Sequence, residues 1–196
     1  VAVAYGSSSA EIHSAENRQS VLAGENVTIN AGENINVSGG VLSAAKNAEI
    51  NADGDVDITA VKDLYSEESE VGHRGGSNYY HDRTVDETVK GTNIAAGENI
   101  TVNSAKDINI KGSNVTSEAG KAALNAENNV NIQNESEYHE RLHEKHEKVS
   151  GVLSSKTTDV YDYSNQNTVV DSNISANEVD IMSGADTNII GSNVVA

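Results

Sequence analysis

The sequence predicts an all-β chain: a parallel β-helix, or β-solenoid, of about five 21–22-residue coils that carries two long projecting β-hairpins. Three observations predict it. Six short phrases repeat one another, AGENVTI (23–29), AGENINV (31–37), ADGDVDI (52–58), AGENITV (96–102), SAKDINI (104–110) and AENNVNI (126–132). Each is a small residue, a polar turn and an aliphatic–polar–aliphatic triplet. The triplets recur at a fixed distance: Val27/Ile29 and Ile35/Val37 reappear 21 residues on as Ala48/Ile50 and Val56/Ile58, and Ile100/Val102 and Ile108/Ile110 reappear 22 residues on as Ala122/Leu124 and Val130/Ile132. A period near 20 built of very short strands is the mark of stacked coils. The third observation is what the chain does without. It has no Phe, Trp or Pro and one Met in 196 residues, so its core must be a narrow stack of Val, Ile, Leu and Ala layers, and no strand lacks a backbone N–H donor.

Each coil reads as three strands. The first two are the triplets, whose outer residues face inward and whose middle residues (Thr28, Asn36, Asp57, Thr101, Asn109) face out, because strand side chains alternate. The third follows a Gly/Asp-Ser/Thr-Asn phrase at Gly91, Gly112, Asp171 and Gly191. The Asn or Asp before each triplet (Asn26, Asn34, Asp55, Asn99, Asp107, Asn129) suits a corner; such side chains either stack in ladders or serve only as turn residues. The coils fall near 23–43, 44–64, 94–117, 118–137 and 171–196.

Two stretches, about 65–90 and 138–168, break the period. The first turns at Arg74-Gly75-Gly76-Ser77 and the second near Ser150-Gly151, as hairpins would; a short helix over 139–148 is the alternative for the second. Val27 matches Ile100 at a distance of 73, so the larger repeat is two coils plus one excursion, and residues 1–18 read as the returning arm of an earlier excursion. Hairpin arms of ~12 residues reach roughly 40 Å, against about 24 Å for five coils. The chain is thus read as a single β-helix fragment, 1–196, internal to a larger repeat protein, an expectation that its opening at Val1-Ala2-Val3 without Met also prompts.

Thirteen Lys and Arg against thirty Asp and Glu give a net charge of −17. Such a surface repels phosphate, which argues against nucleic acid as a partner. No run approaches the ~18 apolar residues of a membrane helix, and the absence of Cys excludes disulfides and thiolate metal sites.

Taken in order around an excursion, AGENINV, ADGDVDITAVKD and GTNIAAGENITVNSAKDINIKGSNV resemble the haemagglutinin-repeat region of filamentous-haemagglutinin-like exoproteins. That family includes two-partner-secretion adhesins and the stalks of contact-dependent growth inhibition effectors. The resemblance covers nearly the whole chain. It implies a right-handed β-helix, a secreted or bacterial cell-surface location, export of the parent protein through an outer-membrane transporter, and a role in adhesion or effector delivery. The expected partners are a host- or target-cell surface receptor, protein or glycan, and flanking coils of the same chain. Neither the family's N-terminal secretion domain nor a C-terminal toxin is matched by these residues.

Few residues point to chemistry, and neither catalytic residues nor a cofactor is expected. His139-Glu140-Arg141-Leu142-His143 is a formal HExxH, which on a helix could hold Zn²⁺ through two histidines, with His146 as a third ligand. The plainer reading of this His/Glu/Lys-rich run is a solvated charged arm. Asp53-Gly54-Asp55-Val56-Asp57 starts like a calcium loop but lacks the glycine and the bidentate acid such a loop needs; it reads as a turn. Six Asn-x-Ser/Thr sites follow from the coil phrase itself. A β-helix polysaccharide-processing enzyme is the rival from another class, and it would need acids, bases and sugar-stacking aromatics along one side, where the triplets offer Thr, Asn and Asp. What stands out is that all seven Tyr and all six His lie outside the coils. Aromatics on projecting elements suit a contact surface, although hairpins also use Tyr for cross-strand pairing. The expected contact residues are Tyr65, His73, Arg74, Tyr79, Tyr80, His81, Tyr138, His139, Tyr161 and Tyr163. His73, His81, His139, His143 and His146 would make contact sensitive to mild acid.

Overall fold

The computed structural model describes residues 7–196, which leaves Tyr5 outside the described residues. The chain runs through β1 (Ser8–Ala15), then β2 (Val21–Gly24), β3 (Val27–Ala31), β4 (Ile35–Ser38), β5 (Val41–Ala44), β6 (Ala48–Ala52) and β7 (Val56–Thr59). Two long strands follow, β8 (Val61–Gly72) and β9 (Asn78–Lys90). Short strands resume as β10 (Asn93–Ala96), β11 (Ile100–Ser104), β12 (Ile108–Lys111), β13 (Asn114–Ser117), β14 (Lys121–Ala126) and β15 (Val130–Gln133). A second long pair, β16 (Glu135–Ser150) and β17 (Ser155–Val170), precedes β18 (Asn173–Ser175), β19 (Glu178–Ser183), β20 (Thr187–Ile190) and β21 (Asn193–Val195). The helix entertained over 139–148 is not formed: that segment lies within β16, where extended pairing with β9 supplies its backbone bonds. The contacts divide the chain into two units, one of Asn17–Lys62, Val89–Ser136 and Val169–Ala196, the other of the described residues up to Glu16 with Asp63–Thr88 and Glu137–Thr168.

The first unit is a parallel β-helix. Its strands stack into three parallel sheets, β2-β5-β10-β13-β18-β21, β3-β6-β11-β14-β19 and β4-β7-β12-β15-β20. The register is the one the repeats dictate. Val27 and Ile29 stand over Ala48 and Ile50, those over Ile100 and Val102, and those over Ala122 and Leu124. Inward residues such as Ile50, Ile58, Ile100, Ile108, Leu124 and Ile132 are fully buried, and the core of this unit contains no aromatic side chain. A one-residue slip would turn every one of these side chains outward, so the apolar rows fix the stacking.

Polar side chains stack as well. At the corner entering the third strand, Thr92, Ser113 and Ser172 are completely buried. The Thr92 N–H donates to Ser113 Oγ at 3.1 Å, the Ser113 N–H to Ser172 Oγ at 3.1 Å and the Ser172 N–H to Ser192 Oγ at 3.4 Å. Each hydroxyl donates in turn to a carbonyl: Thr92 to Thr59 at 2.7 Å, Ser113 to Lys111 at 2.9 Å and Ser172 to Gln133 at 2.6 Å. Outside, asparagines form amide ladders. Asn51 donates to Asn30, Asn103 to Asn51 and Asn125 to Asn103 at 2.7–2.8 Å. A second runs Asn93, Asn114, Asn173, Asn193. The corner residues Asn34, Asp55, Asp107 and Asn129 each accept the backbone N–H of the next coil's corner. Of the two readings of these residues, the ladder is the one the structure shows. Asp55 and Asp57 are spent in this way, on Asp107 and Asn109, which leaves no calcium loop at Asp53–Asp57.

Glycine is required where the second strand of a coil (β4, β12 or β20) turns directly into the third (β5, β13 or β21). Gly39, Gly112 and Gly191 there have φ of +59°, +56° and +53°. Where a long strand pair intervenes instead, the same phrase begins with Gly91 or Asp171, and neither has positive φ. Aspartate at 171 is therefore free of the glycine requirement, whereas Gly91 is held by crowding, since a Cβ there would lie 2.4 Å from the Gly112 carbonyl oxygen.

Candidate functional site

The second unit is built from the excursions. Its long strands are mainly polar and charged and carry no proline. Glycines make the first turn: Gly72 and Gly75 have φ of +92° and +91°, and a side chain on Gly72 would lie 2.2 Å from the Asn78 carbonyl oxygen. The second turn closes with the Gly151 N–H donating to the Ser154 carbonyl at 2.7 Å. Both hairpins therefore form, and they are not separate. The five strands make one antiparallel sheet in the order β1-β8-β9-β16-β17, so the returning arm of one excursion pairs with the leaving arm of the next. The segment read as an earlier excursion's returning arm is β1, which pairs with β8.

The β9–β16 register sets the side-chain arrangement, with His139 opposite Asp86, His143 opposite Asp82, Lys145 opposite Tyr80 and His146 opposite Tyr79. On one face the imidazole Nδ1 of His139 is 3.0 Å from Asp86 and that of His143 is 2.5 Å from Asp82, while the Lys145 ammonium lies 5.6 Å from the Tyr80 ring centroid. On the other face His146 meets Asp159 of β17. There too His81 Nε2 is 2.8 Å from Glu68, and its buried Nδ1 lies 3.8 Å from Glu144 without a hydrogen-bond partner among the described residues. Arg74 donates to Glu144 at 2.8 Å and covers the Tyr79 ring at 5.6 Å.

This geometry removes the zinc reading of His139-Glu140-Arg141-Leu142-His143. Four residues along a strand separate the two histidines by about 13 Å, each faces an aspartate of its own, and His146 points to the opposite face. Among the described residues no group of three or more His, Cys, Asp or Glu is placed to hold a metal ion.

The sequence-predicted contact residues all lie in this unit, and the sheet sorts them by exposure. Tyr161 and Tyr163 on β17 are 68% and 49% exposed and Tyr65 is 40% exposed; His73 and Arg74 are exposed at the turn, whereas Tyr80, His81, Tyr138 and His139 are half-buried. Tyr79 is the correction. At 3% exposure it is packed beneath Arg74 and beside His81, because β9 is the central strand. The Tyr138 hydroxyl donates to Glu140 at 2.5 Å, and that bond pushes its pKa far above the ordinary tyrosine value. Two open hollows accompany the exposed tyrosines: one of ≈ 380 Å³ lined by Arg74, Glu144, His146, Asp159 and Tyr161, the other of ≈ 570 Å³ lined by Asp82, Arg141, His143, Tyr161, Asp162 and Tyr163. The acids in these hollows (Asp82, Glu144, Asp159, Asp162) and Arg141 were not singled out from sequence. Carrying the 73-residue spacing from the coils into the excursions would have aligned β1 with β9 and β8 with β16, whereas the acids of β17 need the 80-residue offset of Val89 and Val169.

Comparison with known proteins places this architecture. Over 125 residues, 63% of the chain, it is 34% identical to the tRNA nuclease CdiA-2 of Burkholderia pseudomallei (strain 1026b), of whose length the match spans 4%. No solved structure matches the chain. The Hemagglutinin repeat family model matches residues 1–78 and 73–196, the whole sequence between them, and the chain therefore belongs to the haemagglutinin-repeat family of filamentous-haemagglutinin-like, secreted, cell-surface exoproteins.

Proposed function

We propose that this segment of a large exoprotein makes contact with a cell-surface receptor through its antiparallel sheet, and that the β-helix is its non-catalytic support. One observation carries the reading: every described Tyr and His belongs to the sheet unit, with Tyr161 and Tyr163 on its outermost strand strongly exposed. The coil exteriors offer a partner much less. Their asparagines are already spent on one another in the ladders, and a satisfied amide gains little from a new partner. Exposed tyrosines next to carboxylates and an arginine suit either a glycan or a protein surface. Export of the parent protein through an outer-membrane transporter is part of the same proposal, by family.

The match to CdiA-2 favours a second reading, in which the segment belongs to the stalk of a contact-dependent growth inhibition effector and assists delivery. The nuclease named for that relative is a property of that relative. The test of contact is a Tyr161→Ser/Tyr163→Ser double variant, both positions being exposed enough for the fold to survive. Cell binding by the purified chain is expected to fall at least tenfold with an unchanged far-UV circular dichroism spectrum. Binding equal to that of the parent chain would overturn the contact role of the sheet. The delivery reading is tested with the same variant in the full-length effector, where target-cell killing would fall without loss of cell binding.

A further inference from the structure

The pairing between excursions is itself a repeat. Ile12 of β1 stands opposite Glu67 of β8, and Val85 of β9 stands opposite Glu140 of β16. Both members of the second pair lie 73 residues beyond those of the first, the spacing that relates Val27 to Ile100 in the coils. A strand returning from one hairpin thus meets the strand leaving the next in one fixed register. Within the sheet both leaving strands are used on both sides, β8 between β1 and β9, and β16 between β9 and β17. The returning strands β1 and β9 each pair with the leaving strand of the following excursion, β8 and β16; β17, also a returning strand, has only its own hairpin partner β16 beside it among the described residues, and its other edge is open.

That edge is not protected in the usual ways. Proteins blunt exposed edges with short strands, proline, bulges or closely spaced charge. β17 is 16 residues long, and from Tyr163 to Val170 it carries neither a charge nor a proline. It also repeats β9 at the positions that face a partner. Aligned by Val89 and Val169, 80 residues apart, Asp162 takes the place of Asp82, Ser164 that of Thr84 and Thr168 that of Thr88. In the pairing already formed, Asp82 faces His143 and Thr84 faces Arg141.

We propose that the β17 edge is a strand-docking site whose occupant is the leaving arm of the hairpin in the repeat that follows in a longer array, added antiparallel with a basic side chain opposite Asp162. The hairpins of successive repeats then form one continuous sheet. A second copy of this chain is not the natural donor, because its own β8 and β16 are already paired on both sides. Addition of a strand to an exposed edge is a recurrent mode of recognition in which main-chain bonds supply affinity and side chains fix the register.

The probe is a synthetic peptide with the sequence of Glu135–Ser150, added to the intact chain while amide hydrogen exchange is followed residue by residue. In the free chain the outward amides of β17 are expected to exchange rapidly, and saturating peptide should slow those of 159–168 at least tenfold. A scrambled peptide should have no effect. A peptide carrying Asp in place of the histidine at 143 should lose most of its binding to the parent chain and recover it on the Asp162→Lys variant. Three results would overturn the proposal: no protection at millimolar peptide, equal protection by the scrambled sequence, or protection already present in the free chain together with a dimer in sedimentation, which would make a second copy the occupant.

Discussion

Replacing Ser113 with alanine tests whether the buried hydroxyl stack, and not only the aliphatic rows, holds the coils in register. Ser113 is fully buried; its Oγ accepts from the equally buried Thr92 N–H at 3.1 Å and donates to the Lys111 carbonyl at 2.9 Å. Loss of the hydroxyl does not strand that carbonyl, which still accepts the Ala60 N–H at 2.9 Å. It does strand the Thr92 N–H, which has no water to turn to. An orphaned buried donor costs about 1–3 kcal/mol, and the cavity left by one oxygen adds little. A destabilisation of about 2 kcal/mol is therefore expected. With a guanidinium slope of roughly 4 kcal/mol/M, this is a fall of about 0.5 M in the unfolding midpoint at constant slope. Equilibrium unfolding followed by far-UV circular dichroism reads it directly. Ser113→Thr is the control, since Thr92 fills the equivalent place in its own coil; it should cost less than half as much. A shift below about 0.1 M for Ser113→Ala, or equal losses for both variants, would refute the reasoning and assign the stack to packing alone.

Three further outcomes follow from the same geometry. The outer asparagine ladder stops at Asn125, whose Oδ1 is buried without a partner among the described residues and whose neighbour in the next coil is the exposed Met182; Met182→Asn should extend the ladder and raise stability by about 1 kcal/mol, read as a higher denaturant midpoint. Burial acts to raise the pKa of Glu135, but the Ser136 N–H, Lys111 at 2.9 Å and Lys62 at 3.6 Å outweigh it and hold the carboxyl below its usual 4.5. A depressed carboxyl stabilises above its unfolded value and loses that contribution as pH falls through the folded one, so Glu135→Gln should cost about 1 kcal/mol at pH 7 and progressively less as pH falls below 4.5, as unfolding curves across pH would show. Calorimetric titration with zinc should show no stoichiometric site, and His143→Ala should leave any weak uptake unchanged; one tight equivalent lost on that substitution would restore the HExxH reading.

The β-helix was legible because its signals are local and repeated. Each triplet states which residues face in, and the 21–22-residue spacing states what lies above. Even the third strand, carried by nothing more than Gly-Ser/Thr-Asn, was readable from Gly91 and Gly112. The ladders were legible as residues but not as bonds, since an asparagine before a triplet serves a lone turn as well as a stack; only vertical register decides. The excursions hid more. His139 and His143 are spaced to share one face of a helix and equally one face of a strand, so the pattern alone does not choose; the backbone pairing with β9 chooses, and it sets His139 opposite Asp86 and His143 opposite Asp82, more than fifty residues away. Likewise Tyr79 and Tyr161 look alike in sequence. One is buried and the other exposed because β9 is central and β17 is an edge, a fact fixed by pairing between excursions and not by either strand itself.

The two units differ in how much change each can absorb, and this bears on where contact is made. In the coils the stacked polar partners are mostly alike, asparagine on asparagine or aspartate and hydroxyl on hydroxyl. Exchanging Asn103, for example, would break a bond to Asn51 and another from Asn125. A rung inside a ladder is thus tied to the one below and the one above. In the sheet the cross-strand partners are of different kinds, such as His143 with Asp82 or Lys145 with Tyr80, and the strands are held by backbone bonds that do not depend on them. Half-exposed pairs of this sort are each worth about 1 kcal/mol or less. A face of that kind can be rewritten residue by residue while the sheet persists. The coils cannot be rewritten so cheaply, which makes the sheet, and above all the open strand that carries Tyr161 and Tyr163, the part of the chain free to be shaped to a partner.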